Sequence, residues 1–299
     1  MRPLPDSPAG PRPFEFGLVE EVVAPAPDWR GVLVWLSLPG LATAVLFGWP
    51  QLGFVVELWL VGWVLLASLV AHELGHALMA WQEGDDTALA AGRLSLSPRA
   101  HFDPVGSLLA PVVTGLTTWL LGSGMVVAWA RRIPVDPARL RSKGGLVRVA
   151  LAGPLVNLGL LYFSAVMMIG WMSGRGIADP ATAVLPIDWL SHPIVASSLP
   201  LDFVVLTVLR WSILVNAFLV AVNLFPVAPF DGAVILRSSF SGRVRAWVER
   251  IQSWALGLLP VLLVSGQARM LLWPVFWLWY AAMVAVGHGA GVPLPEVGR

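Results

Sequence analysis

Long apolar runs occupy most of this chain and constrain its fold more than any other feature. A helix that crosses a bilayer needs about 20 predominantly apolar residues. Six runs reach or approach this length: 32–49, 53–82, 146–172, 201–224, 246–266 and 270–288. Only 12% of the residues are charged, against roughly 25% in soluble domains. The sequence therefore predicts an all-α polytopic membrane protein with about six transmembrane helices.

A seventh run, 105–130, follows Pro104 and is interrupted by Gly122 and Gly124. Cytoplasmic loops of membrane proteins are enriched in Lys and Arg. The basic loops of this chain precede that run, follow it, or lie within 232–250. If the run crossed the membrane, one basic loop would lie outside. We therefore expect 105–130 to be a re-entrant segment, which leaves six spans and places both termini in the cytoplasm.

Three polar side chains, His72, Glu73 and His76, interrupt the second apolar run. Ionisable groups inside a membrane helix are costly and usually functional. Residues four apart on a helix share one face and are about 6 Å apart along the axis, so both imidazoles can reach one ion. In the H-E-x-x-H pattern the His pair binds zinc and the Glu is the general base. The alternative is a pair of core histidines hydrogen-bonded to a neighbouring helix, but three ionisable groups within five residues favour zinc.

A hydrolytic zinc site normally has three protein ligands and one open position. The chain has no cysteine, so the third ligand is expected to be a histidine or a carboxylate. Asp231 follows Pro226 and Pro229, which must end the helix of the fourth run. If 105–130 is re-entrant, Asp231 lies on the same side of the membrane as His76. Asp231 is therefore a candidate for the third ligand.

Four motifs occur in this order: HELGH at 72–76, GDDTALAAGRLSLSPRAHFDPVGSLLAP at 84–111, PVDP with ALAGPLVN within 134–157, and NLFPVAPFDG at 223–232. Together they resemble the site-2 protease family of intramembrane zinc metalloproteases. The resemblance implies that His72, His76 and Asp231 bind one Zn²⁺ ion and that Glu73 activates the attacking water. It also implies that Asn223 holds the substrate strand or the developing oxyanion near the metal.

The predicted function is that of a zinc-dependent intramembrane endopeptidase with Glu73 as general base. It would hydrolyse a peptide bond in or near an unwound transmembrane segment. The expected partners are a single-span or membrane-anchored protein substrate and the lipid bilayer, and a homo-oligomer is left open. With a net charge of +1, no nucleic-acid partner is expected. Nearly all basic residues are arginine, which suggests a bacterial protein of the cytoplasmic membrane.

Two other functions are compatible with a zinc site in a membrane protein. A transporter or channel would need ionisable groups along a path across the membrane, whereas here they gather around HELGH and PFDG. A non-catalytic membrane scaffold would be expected to lose the general base or a ligand, and Glu73 is present.

Three regions are expected along the chain: a Pro-rich cytoplasmic tail, a transmembrane metalloprotease domain with its core at 53–232, and a C-terminal tail, bounded by 1–30, 31–290 and 291–299. Neither a PDZ-like insert before Asp231 nor a nucleotide-sensing domain after the last span is expected. The chain thus resembles a minimal form of the family.

The stretch ALAAGRLSLSP at 88–98 alternates apolar and small polar residues, which is typical of a strand. We expect a small membrane-associated β-hairpin there. Its edge could pair with an extended substrate by β-augmentation, or the hairpin could simply link two elements.

Five further residues carry smaller predictions. Glu57 and Arg210 lie at comparable depth in two spans and are expected to pair, with snorkelling of Arg210 as the alternative. His101 is expected to make a structural hydrogen bond. Gly75 lowers helix stability, which predicts the close approach of another helix or the substrate. Asn157 is either a neighbour of the active site or part of a small-residue helix contact.

Overall fold

The structure is a computed structural model that describes residues 29–121, 128–142, 144–175 and 200–264. In these ranges the chain forms helices joined by short connections, and none of it forms a strand. The α-helices are, in chain order, α1 (Trp29–Gly48), α2 (Gly53–Gln82), α3 (Thr87–Ala90), α4 (Pro98–His101), α5 (Ala110–Leu121), α6 (Gly145–Gly174), α7 (Pro200–Leu224), α8 (Asp231–Ser239) and α9 (Gly242–Val264). A short 3-10 turn precedes α2, and a π-helical turn at Pro104–Leu109 precedes α5.

Three helical segments are long and apolar enough to cross a membrane: Pro50–Gln82, Gly145–Gly174 and Pro200–Leu224. They contain α2, α6 and α7, and they confirm the second, third and fourth predicted runs. The first run lies in α1, whose apolar part is the shorter segment Ser37–Gly48. The fifth run begins within α9, and the sixth lies outside the described residues. A total of six spans is therefore not confirmed.

The interior of the protein is formed where α2, α6 and α7 pack together. Buried side chains of α6 and α7, among them Met168 and Ile213, make one apolar cluster. Helices α2 and α6 approach closely at Gly75, where a Cβ would lie 2.8 Å from Val156 Cγ2 and 3.0 Å from the Ala152 carbonyl oxygen. The close approach predicted at Gly75 is therefore that of another helix.

An ion pair joins α2 to α7. The Arg210 guanidinium contacts Glu57 Oε1, and Trp211 Nε1 donates a hydrogen bond to the same oxygen at 3.0 Å. The guanidinium also lies 5.6 Å from the centroid of the Trp211 ring. Because an unpaired charge is costly in hydrocarbon, this arrangement lets both charged residues remain between the helices. The predicted Glu57 to Arg210 pair is confirmed.

The ends of the seventh run lie side by side. The 6-residue π-helical turn and the 12-residue helix α5 are continuous, and together they are at most about 27 Å long, close to the roughly 30 Å hydrocarbon core of a bilayer. Beyond α5 the chain comes back to its starting point, because Trp129 N donates to the Gly106 carbonyl at 3.0 Å and Arg131 N donates to the His101 carbonyl at 2.8 Å. Whether this segment re-enters or crosses the membrane stays a prediction.

The β-hairpin predicted at 88–98 is not confirmed, because this stretch forms α3, a turn and the start of α4. The Asp85 carboxylate accepts hydrogen bonds from the Thr87 N–H at 3.0 Å and hydroxyl at 2.5 Å, which favours a helical turn at this point. Gly92 follows in a left-handed conformation with φ +68°. The Leu96 carbonyl accepts a hydrogen bond from Trp35 Nε1 at 2.8 Å. Local bonds thus occupy backbone groups that strand pairing would need.

Candidate metal centre

The two histidines of HELGH face a carboxylate from a distant part of the chain. His72 and His76 lie about one turn apart on α2, and Asp231 is the first residue of α8. Asp231 Oδ2 is 3.1 Å from His72 Nε2 and 3.3 Å from His76 Nε2. The two Nε2 atoms are 3.0 Å apart. These three side chains form a metal-ligand cluster, with ligand atoms within 4.8 Å of one another.

The separations in this cluster fit a zinc ion. Tetrahedral Zn²⁺ with bonds of about 2.0–2.1 Å holds its ligand atoms about 3.3 Å apart. His72 Nδ1 lies 2.5 Å from Asn157 Oδ1, and His76 Nδ1 lies 2.6 Å from the Val149 carbonyl oxygen. Since both acceptors require a proton on Nδ1, the Nε2 lone pairs point towards each other and towards a carboxylate. A cation stabilises that arrangement.

Two glycines provide the space for the metal-ligand cluster. A Cβ at Gly153 of α6 would lie 2.4 Å from His76 Nε2 and 2.7 Å from His72 Cε1. A Cβ at Gly232 would lie 2.2 Å from the Leu224 carbonyl oxygen. Any side chain at Gly153 would therefore displace the imidazoles, and one at Gly232 would move the start of α8 away from the end of α7.

A buried polar network holds the Nδ1 side of the His72 imidazole. Asn157 Nδ2 donates to Asn216 Oδ1 at 2.7 Å, and Asn216 Nδ2 donates to Ser68 Oγ at 3.0 Å. Both asparagines have 0% exposure. Because its amide nitrogen is held by Asn216, Asn157 presents a fixed oxygen to His72 Nδ1. This contact selects the tautomer of His72 whose Nε2 faces Asp231.

Glu73 is buried beside the metal-ligand cluster, and its carboxylate is held by a segment that follows α5. Glu73 Oε2 accepts a hydrogen bond from Ile133 N at 3.1 Å. Ile133 belongs to residues 128–136, which have no regular secondary structure. The same segment carries Arg132, whose guanidinium contacts the Pro229 carbonyl oxygen just before α8. The segment thus connects the carboxylate on α2 with the turn that carries the third ligand.

The metal-ligand cluster and Glu73 line a cavity of about 790 Å³, which is within the usual range for ligand-binding clefts. Much of its wall is apolar and comes from α2, α6 and α7, for example Leu69, Val149 and Phe218. Asn223 also lines the cavity, and its side-chain nitrogen donates to a carbonyl oxygen one turn earlier in α7 at 3.0 Å. The cavity therefore presents metal ligands, a carboxylate and an amide within an apolar surround.

The Asp231 carboxyl is held in its ionised form. Burial alone raises its pKa, but the neighbouring His72 and His76 imidazoles outweigh burial and hold the pKa well below its usual range. The carboxyl is thus ionised at neutral pH, as a metal ligand must be.

The predicted site residues are brought together at one cavity, which His72, Glu73, His76, Asn223 and Asp231 all line. The amide of Asn223 is bonded within its own helix, so its catalytic role stays a prediction. Asn157, left open between two interpretations, directly contacts a predicted ligand.

Sequence reasoning missed three contributors: Gly153, Ile133 and Asn216. The AGPLVN motif marked the part of α6 that holds Gly153, but no motif marked the other two. His101 is fully buried with its Nε2 2.9 Å from the Ser95 carbonyl oxygen, which confirms its predicted structural hydrogen bond.

Known proteins with similar sequences point in the same direction. The sequence model of Peptidase family M50 matches residues 138–265, a range that includes Asp231. The chain is 33% identical over 213 residues to "Putative zinc metalloprotease YwhC" of Bacillus subtilis (strain 168), covering 71% of this chain and 83% of that protein. It is 30% identical over 251 residues to "Putative zinc metalloprotease Rip2" of Mycobacterium tuberculosis H37Rv, covering 82% of each chain. Rip2 of Mycolicibacterium smegmatis is 29% identical over 269 residues, covering 89% of this chain and 84% of that protein.

No solved structure matches the chain. The similarity to YwhC and Rip2 nevertheless extends over most of the length of each of those proteins. The family model covers α6, whose Val149 and Asn157 contact the two histidines, and it also covers Asp231. This chain therefore belongs to peptidase family M50, the site-2 protease family.

Proposed function

We propose that this chain is a zinc-dependent intramembrane endopeptidase that cleaves a membrane-anchored protein in or near an unwound transmembrane segment. The observation that carries this proposal is the convergence of two imidazoles and a carboxylate beside a second carboxylate, Glu73, in one cavity. Helices long enough to cross a membrane form the walls of that cavity. Membership of peptidase family M50 supports the same function.

His72, His76 and Asp231 would hold the zinc ion. Two imidazoles and one carboxylate are a ligand set found in hydrolytic zinc sites, and they leave a fourth position open. When bound, Zn²⁺ acts as a Lewis acid that makes water more acidic and polarises the carbonyl group of the scissile peptide.

Glu73 would act as the general base. Its carboxylate takes a proton from the attacking water as the new carbon–oxygen bond forms. It then gives that proton to the departing amine as the carbon–nitrogen bond breaks. The hydrogen bond from Ile133 N to Glu73 Oε2 supports this role, because it orients the carboxylate without supplying a competing positive charge.

Asn223 would donate a hydrogen bond to the developing oxyanion or to the substrate backbone. Its amide nitrogen now bonds to the Leu219 carbonyl oxygen, so this role requires the amide to rotate towards the cavity. Donors aimed at developing negative charge contribute strongly to acyl transfer.

The location of the site suits a membrane-anchored substrate. His76 lies six residues before the end of α2 at Gln82, about 9 Å along the axis, so the site would lie inside the span but near one end. A substrate helix uses its carbonyl groups in its own hydrogen bonds and must unwind before hydrolysis. We place this end of α2 at the cytoplasmic side of a bacterial membrane, with six spans and both termini in the cytoplasm.

The test compares wild type with Glu73→Gln on a single-span substrate in detergent or vesicles. We expect Glu73→Gln to keep one bound zinc ion per chain, measured by metal analysis, while cleavage falls by about a thousandfold or more. Glu249→Gln is the matched control, since Glu249 is an exposed residue of α9 that pairs with Arg245, and it should cleave like wild type.

Equal cleavage by Glu73→Gln and wild type would remove the protease function. Zinc-dependent uptake of an ion by vesicles, unaffected by Glu73→Gln, would instead favour the transporter alternative. A wild-type protein that binds zinc but neither cleaves nor transports would fit the scaffold alternative.

A further inference from the structure

Three arginines lie beside the cavity and the general base, and we call them the basic rim: Arg93, Arg131 and Arg132. Arg131 and Arg132 line the cavity directly. Arg93 follows α3 and lies close enough to Arg131 and Glu73 for their charges to act on it. Burial lowers the pKa of Arg93, the nearby Arg131 lowers it further, and the charge of Glu73 raises it. Arg93 and Arg131, from two separate stretches of chain, thus lie close enough for their charges to interact.

Within the described residues, no carboxylate is in direct contact with the basic rim, although the charge of Glu73 acts on Arg93. None of its three guanidinium groups is in an ion pair there. Arg132 contacts the Pro229 carbonyl oxygen, and the Nε of Arg93 is buried without a hydrogen-bond partner in that part of the chain. The carboxylate of Asp103 also lines the cavity, but it accepts two backbone N–H bonds from the π-helical turn, at 3.0 and 2.6 Å.

Two other arginines near the same end of α2 are paired, whereas the Arg141 guanidinium contacts the Gln82 carbonyl oxygen at 3.4 Å. Arg148 bonds to Glu83 at 2.6 Å, and Arg139 contacts Asp86. Arg93 is half-buried, and Arg131 and Arg132 are exposed. Like charges held close together repel one another, and an anion between them lowers that repulsion. A guanidinium offers paired N–H donors in a plane, which match the two oxygens of a carboxylate. The basic rim is therefore suited to a carboxylate that the described residues do not provide.

We propose that the basic rim binds a carboxylate of the substrate close to the scissile bond, so that the enzyme selects membrane-anchored segments with an acidic flank. This inference rests on the proposed function, since the polypeptide that reaches Glu73 must also bring the carboxylate. Arg131 and Arg132 line the cavity of the metal-ligand cluster, which favours a peptide group over a lipid phosphate as the partner of the rim. Ordinary transmembrane segments carry Lys or Arg at their cytoplasmic ends, and the rim would repel them.

The test uses three single-span substrates that share one transmembrane segment and differ only in a flanking pair, Asp-Asp, Asn-Asn or Lys-Lys, placed at each end in turn. In phosphatidylcholine vesicles we expect wild type to cleave one Asp-Asp substrate with kcat/KM about tenfold above Asn-Asn, and Lys-Lys most slowly. Arg131→Glu lowers the total charge of the basic rim from +3 to +1 and should therefore reduce the preference for the Asp-Asp substrate. Arg99→Glu is the matched control, because Arg99 is an exposed arginine of α4 that does not line the cavity.

Equal cleavage of the three substrates by wild type, or an unchanged preference in Arg131→Glu, would overturn the proposal. So would a preference that arises only when the vesicles contain phosphatidylglycerol and that Arg131→Glu abolishes, since the rim would then bind lipid phosphate.

Photocrosslinking of the same segments to Glu73→Gln separates this inference from the proposed function. If the acidic flank were captured preferentially but wild type hydrolysed no substrate, the binding of a carboxylate by the basic rim would be supported and the protease function would be removed. If all three flanks were captured equally, the binding of a carboxylate by the basic rim would be overturned, whether or not wild type cleaves the substrates.

Discussion

Asn157 shows how a single residue can set the properties of the metal-ligand cluster without belonging to it. Its Oδ1 lies 2.5 Å from His72 Nδ1, and its other amide atom is held by Asn216. Groups that bind the second nitrogen of a ligating histidine fix its tautomer and orientation, and their loss typically weakens metal binding 10- to 100-fold. Asn157 therefore acts through His72 as a positioning residue.

Replacing Asn157 should weaken zinc binding without removing a ligand. In Asn157→Leu the His72 Nδ1–H loses its acceptor, and we expect the zinc dissociation constant to rise by about 10- to 100-fold. Asn157→Asp restores an acceptor and should recover most of the affinity. Competition with a chromophoric chelator measures this constant on the purified protein, with no need for a substrate.

Thr207→Val is the control for this comparison, because it removes a buried polar group of α7 at 0% exposure without touching His72. Zinc affinity should be unchanged in Thr207→Val. If Asn157→Leu and Thr207→Val weakened zinc binding equally, the effect would come from general loss of packing, and Asn157 would have no specific role in orienting the ligand.

Among the elements, the segment 128–136 depends on one buried carboxylate at the end of α2. Asp85 is fully buried, and its Oδ2 accepts a hydrogen bond from Asp136 N at 2.7 Å. Burial raises the pKa of Asp85, but hydrogen bonds from Thr87 and Asp136 outweigh burial and leave the pKa below its usual value. Because Ile133 lies three residues before Asp136, this anchor also helps to hold Ile133 N against Glu73.

Asp85→Asn should destabilise the protein at neutral pH. Its amide turns a donor towards groups that need an acceptor, which costs about 1–3 kcal/mol and should lower the unfolding temperature. A carboxyl whose folded pKa is depressed stabilises the fold above its unfolded pKa of about 3.9, and this contribution is lost as the pH falls through the folded pKa. In detergent, the difference in unfolding temperature between wild type and Asp85→Asn should therefore become smaller below about pH 4.

Asp86→Asn provides the matched control for this pH series. Asp86 is the next residue, but it is exposed and pairs with Arg139 at the surface, so its loss should cost less than about 1 kcal/mol. If the difference in unfolding temperature between wild type and Asp85→Asn stayed constant down to pH 3, ionisation of Asp85 would not stabilise this anchor.

The elements that the sequence predicted correctly are those with a strong periodic or compositional signal. Apolar length identified α2, α6 and α7, and the spacing within HELGH identified one helix face. The hairpin at 88–98 is not confirmed, because alternation of apolar and small polar residues is a weak signal that the local hydrogen bonds from Thr87 to the Asp85 carboxylate override. Asn216 and Ile133 could not be predicted, since their contacts depend on how distant segments pack and no local pattern marks them.

At the scale of the whole molecule, the packing of α2, α6 and α7 brings residues 72 and 231 together, while residues 128–130, at the end of the run 105–130, line the cavity. Helix α6 has 30 residues and a length of about 45 Å, so its two ends must face opposite sides of a bilayer about 30 Å thick. The membrane topology therefore depends on whether the run between α4 and α6 crosses.

Labelling of single cysteines tests the re-entrant topology cleanly, because the chain contains no cysteine of its own. Arg99→Cys and Ala138→Cys lie on either side of the run 105–130, and Ser173→Cys lies near the far end of α6; all three positions are exposed. If the run is re-entrant, a membrane-impermeant maleimide should label the first two from one side, in inside-out vesicles, and the third only from the other. Labelling of Arg99→Cys and Ala138→Cys from opposite sides would mean that the run crosses the membrane, and the six-span topology would be wrong.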